Sequence, residues 1–203
     1  MTELCKKQIQ RKQNRGFTLI ELLVTIVIFV TLTGVVLFSQ TGFNNSVLVS
    51  DLSYDIAVTV RQAQDYGVNV NESQANTFSS YGTYFNIGSG GSNKNYVFFA
   101  DTDNNGSFHG APNVVYCPAN DTECIRSYTI SNGNYISGIC AGADSGHCAS
   151  TNALTILFTR PNPDAIITSD SGPAAYADIT ISSANGVKKD IIVTKVGQIY
   201  VQK

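Results

Sequence analysis

This sequence of 203 residues lacks the residue patterns on which most enzymes depend. It has only two histidines, His109 and His147, and both lie in glycine- and serine-rich surroundings. It contains no GxSxG nucleophile elbow, no HExxH motif and no phosphate-binding loop. The glycine-rich run 88–92 (GSGGS) lacks both the lysine and the strand–helix context of such a loop, so we interpret it as a flexible turn. The sequence therefore predicts a protein that is not an enzyme.

Charge is also missing over a long stretch, because no charged residue occurs from Leu22 to Ser50. Residues 17–38 carry a single charge, Glu21, and are long enough to span about 30 Å of hydrocarbon as a helix. Five basic residues precede this stretch and predict that residues 1–16 stay in the cytoplasm while the rest crosses the membrane: Lys6, Lys7, Arg11, Lys12 and Arg15.

Two ordinary kinds of N-terminal segment fit this stretch poorly. A secretory signal peptide has a shorter apolar core, of about 7–15 residues. A simple signal anchor has the right length but does not account for Glu21. An ionised carboxylate costs roughly 2.5 kcal/mol or more at the centre of a membrane, so we expect Glu21 to have a positively charged partner.

Proline is absent before Pro112, so the helix can continue beyond the membrane without a break. Apolar residues then recur at spacings of three and four, which predicts an amphipathic helix that packs on a sheet: Leu52, Ile56, Val60 and Ala63. The charged residues Asp51, Asp55, Arg61 and Asp65 fall outside this stripe. Gly67 is the predicted end of the helix.

Seven short β-branched and aromatic runs follow, separated by turn residues, and are predicted to be strands: TYFNI, NYVFFAD, RSYTIS, NALTILFTR, YADITIS, KKDIIVTKV and QIYVQK. Asn185-Gly186 predicts a hairpin, and Gly197 predicts a second tight turn. We therefore expect an α+β fold in which the second half of a long helix packs against an antiparallel sheet.

The cysteines are Cys5 in the basic segment and four in the body: Cys117, Cys124, Cys140 and Cys148. Outside the cytoplasm, four cysteines favour two disulfides, for which three pairings are open. Zinc is the alternative, but the spacings do not match the usual short cysteine pairs of zinc sites.

The run DTDNNG places Asp101, Asp103 and Asn105 at alternate positions before Gly106. This pattern resembles the start of an EF-hand calcium loop, although position twelve would be Pro112 and not glutamate. The same residues also favour a plain turn at the end of a strand. The sequence predicts either a partial calcium site or a turn, and it predicts no other cofactor.

Nucleic acid is a disfavoured partner, because the chain beyond residue 16 carries a net charge of −6. The four body lysines that come closest to a basic patch are interpreted as a solvated strand face: Lys188, Lys189, Lys195 and Lys203.

The hexapeptide GFTLIE at 16–21, with its basic leader and apolar tail, resembles the processing signal of type IV prepilins and type II secretion pseudopilins. The resemblance implies that a membrane peptidase cuts between Gly16 and Phe17 and methylates the new amino group of Phe17. It also implies three segments, namely a leader (1–16), a transmembrane half-helix (17–43) and an extracytoplasmic pilin-like domain (44–203).

The resemblance further implies a structural subunit, of either a type IV pilus-like filament or a secretion pseudopilus, with a DNA-uptake minor pilin as a weaker alternative. Its partners would be prepilin peptidase, other pilin subunits and an assembly platform in the inner membrane. Before assembly the protein would cross the cytoplasmic membrane once, and afterwards it would lie in a cell-surface or periplasmic filament. Glu21 would then pair with the Phe17 ammonium of a neighbouring subunit and guide assembly.

Overall fold

A computed structural model describes residues 16–69, 79–108 and 115–202, and the side chains of all of these except 38–44. Residues 1–15, which include Cys5, therefore lie outside the described residues, as do His109, Pro112 and Lys203. Contacts between residues divide the chain into two compact units, with the boundary after Thr41.

The helix α1 runs from Leu19 to Val68, without a break at Gly34 or Gly42. It ends one residue beyond the predicted stop at Gly67. A Cβ atom at Gly67 would collide with the Phe158 carbonyl oxygen, so glycine is needed there for close packing on a strand.

The described part of the chain contains eleven strands. They are β1 (Ser80–Asn86), β2 (Asn95–Asp101), β3 (Cys124–Thr129), β4 (Tyr135–Gly142), β5 (Cys148–Ser150), β6 (Ala153–Phe158), β7 (Ala165–Ser169), β8 (Gly172–Ala174), β9 (Tyr176–Ser182), β10 (Lys188–Thr194) and β11 (Ile199–Gln202). They form a six-stranded sheet in the order β3-β2-β1-β6-β7-β8 and a five-stranded sheet in the order β11-β10-β9-β4-β5. All neighbouring strands are antiparallel.

This arrangement confirms the predicted α+β fold, with two sheets where one was expected. Both predicted hairpins form, since β9 pairs with β10 around Gly186 and β10 with β11 around Gly197. Both glycines have a positive φ, near 80°, which other residues adopt only under strain.

The main core joins the helix to both sheets. Ile56, Val60 and Ala63 are completely buried, as the predicted stripe requires, while Leu52 is half-buried. Facing them are buried residues of both sheets, among them Phe98 on β2 and Ile179 on β9. A smaller core on the six-stranded sheet includes Phe99, Phe108 and Cys124.

Candidate functional site

The start of the apolar helix is the first candidate site, and Thr18 defines it. Gly16, Phe17 and Thr18 are not helical, and Leu19 is the first helical residue. The Thr18 carbonyl oxygen accepts a hydrogen bond from the Leu22 amide at 3.1 Å, and its Oγ1 accepts one from the Glu21 amide at 3.3 Å. Thr18 is therefore the N-cap residue, whose side chain satisfies a backbone donor that the helix leaves unpaired.

With Thr18 as N-cap, the hexapeptide contains a helix-start pattern that the sequence reasoning missed. Thr18 and Glu21 have the Ser/Thr-x-x-Glu spacing of a capping box, which is a recognisable sequence signal. Phe17 and Leu22 occupy the two positions used by a hydrophobic staple. Glu21 thus lies in the first helical turn, where the helix dipole favours a negative charge.

The bond between Gly16 and Phe17 lies just outside the helix. Both residues are exposed, Phe17 by 81%, and apart from Gly16 and its two chain neighbours no described residue has an atom within 4 Å of the position that a Cβ on Gly16 would take. A peptide bond in an exposed, non-helical segment is the kind that a peptidase can bind and cut. Cleavage there would leave an ammonium group one residue before the N-cap.

Leu19–Leu37 is long and apolar enough to cross a membrane. Its large apolar side chains are exposed on all sides of the helix. The threonine hydroxyls within it donate to carbonyl oxygens three or four residues earlier, from Thr25 to Leu22 (2.8 Å) and from Thr33 to Phe29 (2.8 Å). Because these hydroxyls have partners inside the helix, the segment presents few unsatisfied polar groups to hydrocarbon.

A helix long and apolar enough to cross a membrane therefore begins at a capped residue, directly after an exposed, non-helical segment. The family described as the prokaryotic N-terminal methylation motif matches residues 11–37. The chain therefore carries the type IV pilin and pseudopilin signature. No curated protein and no solved structure gives a significant match to the chain.

The loop after β2 is the second candidate site. Asp101 accepts hydrogen bonds from the amides of Asn105 (3.0 Å) and Gly106 (3.0 Å), and Asn105 also bonds to Asp103. The structure adds Glu123, which lies 20 residues beyond Asp103 in the sequence. Carboxylate oxygens of Asp101, Asp103 and Glu123 all lie within 4.8 Å of one another.

Burial decides the electrostatics of this loop. Asp101 and Glu123 are each only 2% exposed. Burial raises the pKa of Asp101, against the hydrogen bonds from the Gly106 and Asn105 amides, and the neighbouring Asp103 raises it further. Oxygen donors of this kind suit a hard cation such as calcium. The hydrogen bonds within the loop also form the turn at the end of a strand that was the alternative prediction from the sequence.

The structure contains two disulfides, Cys117–Cys124 and Cys140–Cys148. This is the local pairing among the three that the sequence left open, and it uses the four body cysteines without a metal. Cys117 and Cys124 of the first disulfide both pack in the smaller core. The second joins β4 to β5, where the His147 ring also lies 3.0 Å from the Asp144 carboxylate. His147 is thus part of a turn.

Asp178 on β9 is a further titratable group that the sequence analysis did not identify. Its Oδ1 is buried and has no hydrogen-bond partner in the described part of the chain. Burial, followed by repulsion from Asp190, raises the pKa of Asp178 to about 6. Asp178 is therefore a group that destabilises the fold when it is ionised.

Proposed function

We propose that this protein is a structural subunit of a type IV pilus-like filament. In this proposal, prepilin peptidase cuts between Gly16 and Phe17 and methylates Phe17. The mature chain then polymerises through its N-terminal helix. One observation carries the proposal, namely that the methylation motif at residues 11–37 overlaps an exposed, membrane-length helix.

Glu21 has the central role in assembly. Cleavage creates an ammonium group at Phe17, four residues before Glu21. In the bilayer an unpaired carboxylate is expensive, so an incoming subunit gains free energy when its Glu21 meets the Phe17 ammonium of a neighbour. This pairing fixes the axial position of each new subunit. The other partners in the proposal are the peptidase and an inner-membrane assembly platform.

Peptide mapping of the native N terminus tests the proposal most directly. We expect the mature chain to begin at N-methylated Phe17. A chain that still carries Met1 within normally grown fibres would contradict the proposal. Cell fractionation then distinguishes a pilus subunit from a secretion pseudopilin. Recovery in sheared surface filaments supports a pilus subunit, while retention in the envelope with loss of secretion on deletion supports a type II secretion pseudopilin.

The cation site is a separate proposal, in which Asp101, Asp103 and Asn105, now joined by Glu123, hold calcium. The supporting observation is that two of the three carboxylates are almost fully buried close together. A divalent cation would offset their repulsion and order the loop. Thermal unfolding with and without calcium tests this proposal independently of filament assembly.

A further inference from the structure

In the globular unit, two oppositely charged surfaces flank the helix at its exposed side. One, which we name the acidic flank, consists of Asp51 and Asp55. Both carboxylates are exposed and line a depression of about 230 Å³ beside Asn132 and Asn134.

The other surface, which we name the basic flank, is a cavity of about 500 Å³ around Arg61. Arg61 Nη2 donates to the Ile199 carbonyl oxygen at 2.8 Å. Gln64 Nε2 donates to the carbonyl oxygens of Pro163 (2.9 Å) and Gly197 (3.0 Å). These bonds fix the wall of the cavity.

Among the described residues, none neutralises the charge of Arg61. The other described residues that line its cavity are uncharged, and among the described residues no carboxylate lies within ion-pair distance of its guanidinium. A guanidinium has five N–H donors, and the bond to Ile199 uses one of them. The basic flank is therefore suited to receive a carboxylate from another molecule.

The two flanks lie at different positions along the helix axis. Asp55 precedes Arg61 by six residues, which is about 9 Å of helix, and Asp51 precedes it by ten residues, about 15 Å. When two copies lie parallel, Asp55 of one copy reaches the level of Arg61 of the other only after a shift of about 9 Å along this part of the helix. A heterologous contact with an axial shift does not close into a ring, and its repetition gives an open filament.

We propose that Arg61 of one subunit binds Asp55 of the adjacent subunit, so that the basic flank of each copy receives the acidic flank of the next. The exposed Tyr54 and Val58 lie between the two flanks on the helix surface and would be covered by this contact. The proposal rests on the proposed filament function, and it identifies the subunit surface that fixes the lateral contact outside the membrane.

Charge reversal in the full-length chain tests the pair. We expect Asp55→Arg and Arg61→Glu each to lower filament yield by about tenfold or more, as expected when an interfacial charge loses its partner. The double variant should recover most of the yield. Lys188→Glu, a matched reversal at an exposed residue on the five-stranded sheet, should leave the yield unchanged. Single variants that assemble normally, or a double variant no better than Arg61→Glu, would overturn the proposal.

Cross-linking provides a second measurement that does not depend on yield. The variant with both Asp55→Cys and Arg61→Cys should give a ladder of covalent oligomers with a short bis-maleimide, while each single cysteine variant should give none above the dimer. Absence of the ladder in assembled filaments would contradict the pairing. Thermal unfolding of each variant identifies any loss of yield that comes from misfolding, and Asp55→Arg is informative even if Arg61→Glu unfolds.

The unmodified chain separates the two levels of the proposal. If it forms filaments that begin at Phe17 while the reversals and cross-links have no effect, only the Arg61–Asp55 contact is wrong. If it is not cut after Gly16, or forms no filament, the filament function fails and the contact fails with it.

Discussion

The two halves of the long helix differ in the environment that each requires. From Leu19 to Leu37 the large apolar side chains are exposed in every direction, so this half needs lipid or other helices around it. From residue 45 onward the same helix has a buried apolar side and an exposed charged side, because its own chain supplies two sheets to cover it. The comparison shows that one continuous helix can be stable for two unrelated reasons.

The largest expected effect is on filament assembly, and it comes from the first half of the helix, Leu19 to Leu37, which we name the membrane half. Glu21→Ala should leave cleavage after Gly16 intact and should abolish incorporation into filaments, because the subunit loses the carboxylate that is proposed to pair with a neighbour's ammonium. Immunoblots for processing and yields of sheared filaments measure the two steps separately. Normal co-assembly of this variant would refute the charge-pairing role.

The next effect contrasts the two halves directly. Ile56→Ala should lower the free energy of unfolding by about 2–5 kcal/mol, because it leaves a cavity between the helix and both sheets. Ile26→Ala, which is the same change at an exposed position, should leave it nearly unchanged. Thermal or urea unfolding of the full chain in detergent measures both. Equal losses would show that the two halves share one core.

Calcium should raise the melting temperature of the protein. At a concentration 100 times the dissociation constant, the expected gain is about 2.7 kcal/mol. Asp103→Asn should remove the shift, whereas Asp51→Asn, which changes an exposed acid away from the loop, should retain it. If the native protein shows no shift with calcium, the loop is a turn and not a cation site.

A smaller effect is expected at the start of the membrane half. Thr18→Val keeps the shape of the side chain but removes the cap on the Glu21 amide, and should cost the helix about 1 kcal/mol. Hydrogen exchange of the Glu21 and Leu22 amides in detergent should become faster, and Thr18→Ser should restore protection. Unchanged exchange in Thr18→Val would mean that Thr18 does not cap the helix.

The smallest effect depends on pH. The folded pKa of Asp178, about 6, lies above its unfolded value, so the folded state binds more protons and loses stability as pH rises from about 4 to 6. Asp178→Asn should therefore stabilise the protein at pH 7, by about 1 kcal/mol after allowance for solvent screening, and should have no effect below pH 4. Unfolding curves at pH 4 and pH 7 compare the two, and an equal effect at both would exclude ionisation as the cause.

Parts of the fold were missed for identifiable reasons. β4 was not predicted, because a bulge between Ile136 and Gly138 interrupts the alternation of buried and exposed residues. β5 and β8 have three residues each, which is too short for a periodic pattern. Thr18, in contrast, could have been found, since its capping-box spacing with Glu21 is visible in the sequence.

By itself the sequence determined the features that depend on residues close together in the chain. These are the methylation motif, the membrane-length apolar run, the buried stripe from Ile56 to Ala63 and the two glycine turns. Such signals are local because helix periodicity, membrane length and turn geometry each involve only neighbouring residues.

Only the tertiary structure decided which distant residues meet. It brought Glu123 to the Asp101 loop, selected the cysteine pairing, separated the strands into two sheets and placed Arg61 against Ile199. These contacts depend on strand order and register, which result from many small packing energies summed over the whole core, and no short stretch of sequence contains that sum.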